Sequence, residues 1–296
     1  KQLHNTNIYI SNAYAQVLRQ RYPGRTECPD THLRLTARHQ DGSPAAGLRP
    51  QDLYLWLSLG TADIRSMESE SAESEKPEKP SYTSAPATPN TNVLIVIRPQ
   101  LPVDAGMADA VLRNLQAAPN RQWKIAVLAP DGSVSPFLAR ADQAALRKAL
   151  THVASTPAAP GIADWATAER NAFRQLQSRA GRHVVVELTP LATTGHDAFA
   201  EDRTLDLLAR DDMAQIYRLV HGGKDQVEAT GGRSAPTVDA LFRDIVADAP
   251  GSYDLVLHPM FSCEPGTSYS LRITSFRPEV QLFYPTTIRM AAAGSH

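Results

Sequence analysis

His196-Asp197, just after Gly195, sets an imidazole beside a carboxylate. Adjacent loop residues rarely face one another, so the pair reads as loop rather than as an acid–base couple. Gly231-Gly232 could cradle an anion on backbone N–H groups, although a plain turn accounts for it as well. Glu68, Glu70, Glu73, Glu75 and Glu78 could chelate Ca²⁺, but no turn-forming glycine gathers them into a cage, and a solvated tether is the simpler reading. Asp104 and Asp109 suit the start of a helix, whose dipole favours acidic side chains there. His32, His39 and His258 lie in or beside strand-like stretches and read as surface or packed residues. Trp56, Trp123 and Trp165 read as core or half-buried. G-x-S-x-G, HExxH and the phosphate-binding glycine loops do not occur, so no nucleophile, zinc or nucleotide site is signalled. A non-enzymatic chain without cofactor is expected. The alternative is a hydrolase whose catalytic residues meet only in space.

Cys28 and Cys263 are the two cysteines, one before the first strand-like stretch and one in a turn between late strands. A bond between them suits an oxidising compartment and, across so long a loop, would contribute about 4–5 kcal/mol in the chain-entropy model. Two free thiols are the other reading.

The elements that must position these residues fall into three rhythms. Residues 1–25 carry Ile8, Tyr14, Val17 and Leu18 at helical spacing, closed by Pro23-Gly24. Residues 26–67 alternate as strands, with Leu53-Tyr54-Leu55-Trp56-Leu57 the clearest. Residues 68–92 are acidic, then rich in Ser, Thr and Pro, and read as a flexible linker. From 93 to 249 apolar runs such as Val93-Leu94-Ile95-Val96-Ile97 alternate with amphipathic helical stretches, the pattern of a parallel sheet wrapped by helices on both faces. Residues 250–290 return to strands alone. Neither β-rich end has strands enough to bury a face by itself, so the α/β part is expected to be inserted in a β-sandwich formed by both chain ends. Residues 291–296 read as a tag remnant.

Composition narrows the function. With 30 Lys+Arg against 31 Asp+Glu the net charge is −1, which removes the electrostatic case for nucleic acid. No apolar run approaches the ~20 residues of a membrane span. Aromatic residues are only 6%, which weighs against a carbohydrate or base-stacking platform. The chain opens at Lys1 without a basic-then-apolar leader, so a signal peptide is read as either removed or not included in this sequence.

Three segments in order resemble the von Willebrand factor A-related proteins abundant in acidobacterial secretomes. Asp41-Gly42-Ser43-Pro44-Ala45-Ala46-Gly47-Leu48, running on to Asp52-Leu53, is similar to that family's stretch before the A domain. Glu228-Ala229-Thr230-Gly231-Gly232-Arg233 resembles its late TGG turn, and Ser252-Tyr253-Asp254-Leu255-Val256-Leu257 its closing module. The resemblance spans roughly residues 30–285. It implies a von Willebrand factor A-like (Rossmann-like) sheet, a secreted or periplasmic location, and a role in adhesion or assembly.

It also implies a divalent cation held by Asp-x-Ser-x-Ser after the first strand, a later Thr, and an Asp after the fourth strand. Here the first-strand exit reads Arg98-Pro99-Gln100-Leu101-Pro102 and the later one Glu187-Leu188-Thr189-Pro190. Oxygen ligands that suit Mg²⁺ or Ca²⁺ are replaced, and Arg98 brings a positive charge, so no metal is expected. Arg98 either faces solvent or stands in for the ion and holds a carboxylate, from this chain or a partner. Open α/β sheets bind beyond their strand carboxyl ends, which makes Arg98, Gln100, Thr189 and Thr193 the candidate contact residues for a protein partner of unknown identity. The alternative is a structural subunit that assembles, as a homo-oligomer, through β-sandwich edges.

Overall fold

A computed structural model describes residues 26–27, 30–58, 60–69, 91–98, 105–118, 122–152, 162–188, 204–219, 230–259, 262–263 and 267–289. The helical reading of residues 1–25 and the tail at 291–296 lie outside them, except for a two-residue strand, β1 (Thr26–Glu27), that follows the former.

The apolar runs form the strands of a six-stranded sheet. In chain order these are β5 (Thr91–Val96), β6 (Trp123–Leu128), β7 (Leu138–Ala139), β8 (Arg182–Glu187), β9 (Gln215–Leu219) and β10 (Arg233–Ala235). Their spatial order is β10-β9-β8-β5-β6-β7, with every neighbour parallel except β7, which runs against β6. Every residue of β5, β8 and β9 is buried, because helices cover both faces. On one face α1 (Ala105–Ala117), α2 (Gln143–Leu150) and α5 (Val238–Asp248) pack Val111, Leu115, Leu146, Leu241 and Phe242 against Val93, Ile95 and Tyr217. On the other, α3 (Ile162–Gln177) and α4 (Thr204–Asp212) pack Trp165, Phe173, Leu205 and Ala209 against Leu94, Val96, Val185 and Ile216. Consecutive strand residues point to opposite faces, which sorts the two cores.

A second sheet is entirely antiparallel. It comprises β2 (Thr31–His39), β3 (Leu53–Leu57), β4 (Gly60–Ser69), β11 (Ser252–Pro259), β13 (Ser268–Ser275), β14 (Val280–Phe283) and β15 (Thr287–Arg289). All seven follow one hydrogen-bonded order, β14-β2-β11-β4-β3-β13-β15. Strands before and after the parallel sheet interleave, with β11 between β2 and β4. Leu33, Leu35, Leu55, Leu57, Leu255, Leu257, Leu271 and Ile273 form its core. β1 pairs with β12 (Ser262–Cys263), Thr26 opposite Cys263. The stretch read as linker is entered later and left earlier than its composition implies. β4 continues to Ser69 because its backbone pairs with Tyr253, and β5 begins at Thr91 opposite Trp123. Ladder bonds are indifferent to the polarity of Glu68 or Asn92.

One turn design serves both sheets. In Asp41-Gly42-Ser43 and again in Asp131-Gly132-Ser133 the Asp Oδ1 accepts from the Ser amide and the Ser hydroxyl, at 2.6–2.9 Å. The central glycines adopt φ +82° and +81°, the left-handed region where a Cβ is disfavoured.

The two sheets are joined by polar contacts. Arg38 of β2 donates to Asp248 at 2.6 Å, Arg233 of β10 donates to both Asp248 oxygens at 2.9 and 3.0 Å, and Tyr217 of β9 donates to it at 3.0 Å. Beside them Gln215 donates to Thr36 at 3.0 Å. Arg34 of β2 donates to Asp212 at 2.9 Å and to the Gly181 carbonyl at 2.8 Å. Burial lowers the Arg38 pKa and pushes the Tyr217 phenol up, while the bond to Asp248 raises Arg233.

Gly231-Gly232 serves close packing. The Gly231 carbonyl accepts from Arg38 and the Thr230 hydroxyl accepts from the Ile216 amide at 3.1 Å. A Cβ on Gly232 would lie 1.8 Å from the Ile216 carbonyl oxygen. Gly232→Ala should therefore prevent folding or cost at least about 3 kcal/mol. Gly47→Ala, at φ +70° but with nothing within 4 Å, should cost about 1 kcal/mol. Urea melts of the two variants measure the difference, and equal midpoints would refute it.

Candidate functional site

β5 and β8 are adjacent at the centre of the parallel sheet, yet the chain leaves them in opposite directions, toward β6 from one and toward β9 from the other. The helices that follow, α1 and α4, pack on opposite faces. That is a topological switch point, where divergent connections open a crevice beyond the strand ends. Hydrogen bonds extend both strands into it, Ile97 N to Leu128 O at 3.0 Å and Leu188 N to Val96 O at 3.1 Å.

Arg98 follows the end of β5 at this switch point and is buried. Its Nη2 donates to Glu187 Oε1 at 2.9 Å, and its Nε lies 3.3 Å from the same oxygen. Arg218 Nε donates to Glu187 Oε2, and Arg218 Nη2 donates to Asp206 of α4 at 2.7 Å. Arg98 is 5% exposed, Glu187 1% and Arg218 2%, so the cluster is an interior network. Glu169 of α3, itself buried, accepts from Trp165 Nε1 at 2.9 Å, and its charge acts on Arg98. Burial disfavours the Glu187 carboxylate, but the Arg218 and Arg98 guanidiniums outweigh it and hold the carboxyl below its ordinary range. Arg98 answers in kind: burial lowers its pKa, and Glu187 more than restores it.

Of the two readings of Arg98, the solvent-facing one is overturned. The carboxylate it holds comes from this chain. Gln100, Thr189 and Thr193 lie outside the described residues, as do His196-Asp197 and Cys28. β12 places the backbone of Cys263 opposite Thr26, two residues before Cys28. Asp109 does not simply answer the helix dipole, since it pairs with Arg147 of α2 at 2.5 Å on the surface. Trp56, expected in the core or half-buried, is 44% exposed, whereas Trp123 and Trp165 are buried.

Sequence reasoning passed over Glu187, Arg218 and Asp206 as a cluster. The signal was there. A charge inside a doubly buried apolar run, as in Val184-Val185-Val186-Glu187 and Ile216-Tyr217-Arg218-Leu219, requires a partner. The two charges are opposite in sign and directly paired in register. His183 and Asp212 were also missed. His183 Nδ1 lies 2.6 Å from Asp212 and Nε2 2.8 Å from the Arg179 carbonyl. With both ring nitrogens engaged by the fold, this pair anchors β8 to α4 and leaves neither nitrogen open to a substrate.

Among the described residues no cluster of His, Cys, Asp and Glu has the makings of a metal site, and no helix is long and apolar enough to cross a membrane. No family model matches the chain, and no curated protein matches it either. Among solved structures it is similar to an aerotolerance-related membrane protein from Bacteroides fragilis NCTC 9343 carrying multiple mutations to serines. Identity is 11%, the TM-score 0.35, and the match covers 54% of this chain and 98% of that one.

Glu187→Gln should cost about 3–5 kcal/mol, because it leaves two buried guanidiniums without their anion. The folded-state pKa of Glu187 is depressed, so its contribution is complete above the unfolded value of about 4.3 and is lost as pH falls through the lower folded value. Urea melts between pH 7 and pH 3 should show wild type losing its advantage over Glu187→Gln on acidification. A gap that stays constant with pH would contradict this.

Proposed function

We propose that the chain is a non-enzymatic, extracytoplasmic protein-binding module. In this reading it is von Willebrand factor A-like, with the α/β part inserted in a β-sandwich, and its cation-binding crevice is closed by an internal ion pair. One observation carries the reading: the Arg98 guanidinium occupies the strand exit at the switch point and is bonded to Glu187. The donor set there does not fit Mg²⁺ or Ca²⁺. A guanidinium offers only N–H donors and repels a cation, and the carboxylate oxygens of Glu187 are already taken by two guanidiniums. Binding in this reading depends on shape and hydrogen bonding at the carboxyl edge, with Gln100, Thr189 and Thr193 as the further contact residues expected from the sequence. The acidobacterial kinship, the secreted or periplasmic location and a Cys28–Cys263 bond belong to the same proposal.

The edges of the antiparallel sheet favour a second reading. Among the described strands β14 and β15 stand at the two ends of that sheet's order, and sheet edges are templates for assembly. Size-exclusion chromatography with light scattering separates the two: a monomer at all concentrations supports the binding module, and a defined oligomer supports the structural subunit.

Titration calorimetry with Mg²⁺ and Mn²⁺ should give no saturable heat, and a micromolar site would overturn the closed-crevice reading. A pull-down from the native secretome should recover the same partner with and without chelator. Turnover of generic ester, phosphate or peptide substrates would replace the binding role with a catalytic one. Alkylation without reductant should leave the mass unchanged if Cys28 and Cys263 are bonded, and modification of both excludes the bond.

A further inference from the structure

Among the described residues four large apolar side chains are well exposed, and two of them, Tyr54 and Trp56, share the outward face of one strand. Tyr54 and Trp56, 42% and 44% exposed, project outward from β3, whose Leu53, Leu55 and Leu57 face the core. Phe276, 66% exposed, follows the end of β13, where its amide donates to the Asp52 carbonyl at 2.8 Å and continues the ladder past Tyr54. An aromatic patch kept wet on a rigid sheet sacrifices burial, and such patches mark contact sites. Register sets the polar groups beside the rings. Arg272 is directly opposite Trp56, Thr274 is opposite Tyr54, and Ser270 follows on the same outward side of β13. The outward side chains of β3 and β13 include a guanidinium and hydroxyls but no carboxylate, and the carboxylate of Asp52, just before β3, is bonded to Arg277 at 2.7 Å.

Aromatic residues make up only 6% of the chain, but Tyr54 and Trp56 share one exposed face, and we propose that this outward face of β3 and β13 binds an anionic, uronate-bearing glycan. The site is separate from the crevice and independent of the reading given to it. At Trp56 the backbone is paired on both sides, with Arg272 and with Thr61, so an extended peptide cannot add there as a strand. Recognition there falls to ring faces, a guanidinium and hydroxyls. A pyranose ring supplies the matching set: an apolar C–H face to cover Trp56 and Tyr54, a carboxylate for Arg272, and hydroxyls for Ser270 and Thr274. Nucleic acid would also stack on aromatic rings, but a chain of net charge −1 with one guanidinium in the patch lacks the positive groove that a phosphate backbone demands.

The three tryptophans make the test direct, since Trp123 and Trp165 are buried and Trp56 is the solvent-facing one. Acrylamide should quench part of the emission of the full-length chain, and no quenching would mean that the patch is covered by the chain itself, which overturns the proposal. Hexagalacturonate should then shift that emission saturably, and an uncharged hexaose of similar length should bind at least about tenfold more weakly. By calorimetry Arg272→Gln should weaken hexagalacturonate about tenfold, the worth of one charge-assisted hydrogen bond. Trp56→Ala should abolish binding while leaving the urea midpoint in place. No saturation at millimolar hexagalacturonate, equal binding of the uncharged hexaose or of poly-glutamate, or an unchanged Arg272→Gln affinity would each overturn it.

Discussion

Asp248 carries the constraint on which the architecture turns. It is the last residue of α5, at the negative end of the helix dipole, and it is 1% exposed. A carboxylate there is doubly disfavoured, by burial and by the carbonyls behind it. It is tolerated because Arg38, Arg233 and Tyr217 reach it from three strands in two sheets. Those strands must therefore hold their positions. β2 must lie across the end of α5, β10 must pair with β9, and the chain between them must pass Ile216 closely enough that only glycine fits at position 232.

β9 shows how one strand serves two clusters. Tyr217 points to the α5 face and to Asp248, and Arg218, the next residue, points to the α3–α4 face and to Glu187. Strand alternation alone accomplishes this. Both faces of the parallel sheet thus contain buried charge, one group joining it to the antiparallel sheet and the other linking β8, β9 and Arg98 at its carboxyl edge. Leaving either group half-satisfied would cost more than an apolar core of the same volume. Such clusters demand particular partners where hydrophobic packing accepts many.

The carboxyl-edge network also changes what the crevice can do. In an open α/β sheet the switch point is where divergent loops leave room for a ligand. Here that room is lined by a guanidinium already bonded to a carboxylate, and Arg218 draws Asp206 of α4 into the same group. Exposed aromatic surface lies elsewhere, on the antiparallel sheet.

Period and polarity determined much of the architecture. Apolar runs marked the parallel strands, four-residue spacing marked α1, and alternation marked β3 as far as its end residues, because burial on two faces, one stripe or one face leaves distinct periodicities. The Asp-Gly-Ser turns are local chemistry, carried by residues next to one another in the chain. What period and polarity did not decide was anything that depends on which strands become neighbours. The short strands β7, β10 and β15 carry too few residues for a period, and exist only because a ladder is offered to them. Trp56 looks like a core residue by type and faces water by register. Glu187 and Arg218 lie 31 positions apart in the chain, and only the order β9-β8-β5 makes them partners with Arg98. Hydrophobic pattern is a property of each segment, whereas charge pairing is a property of the packed molecule.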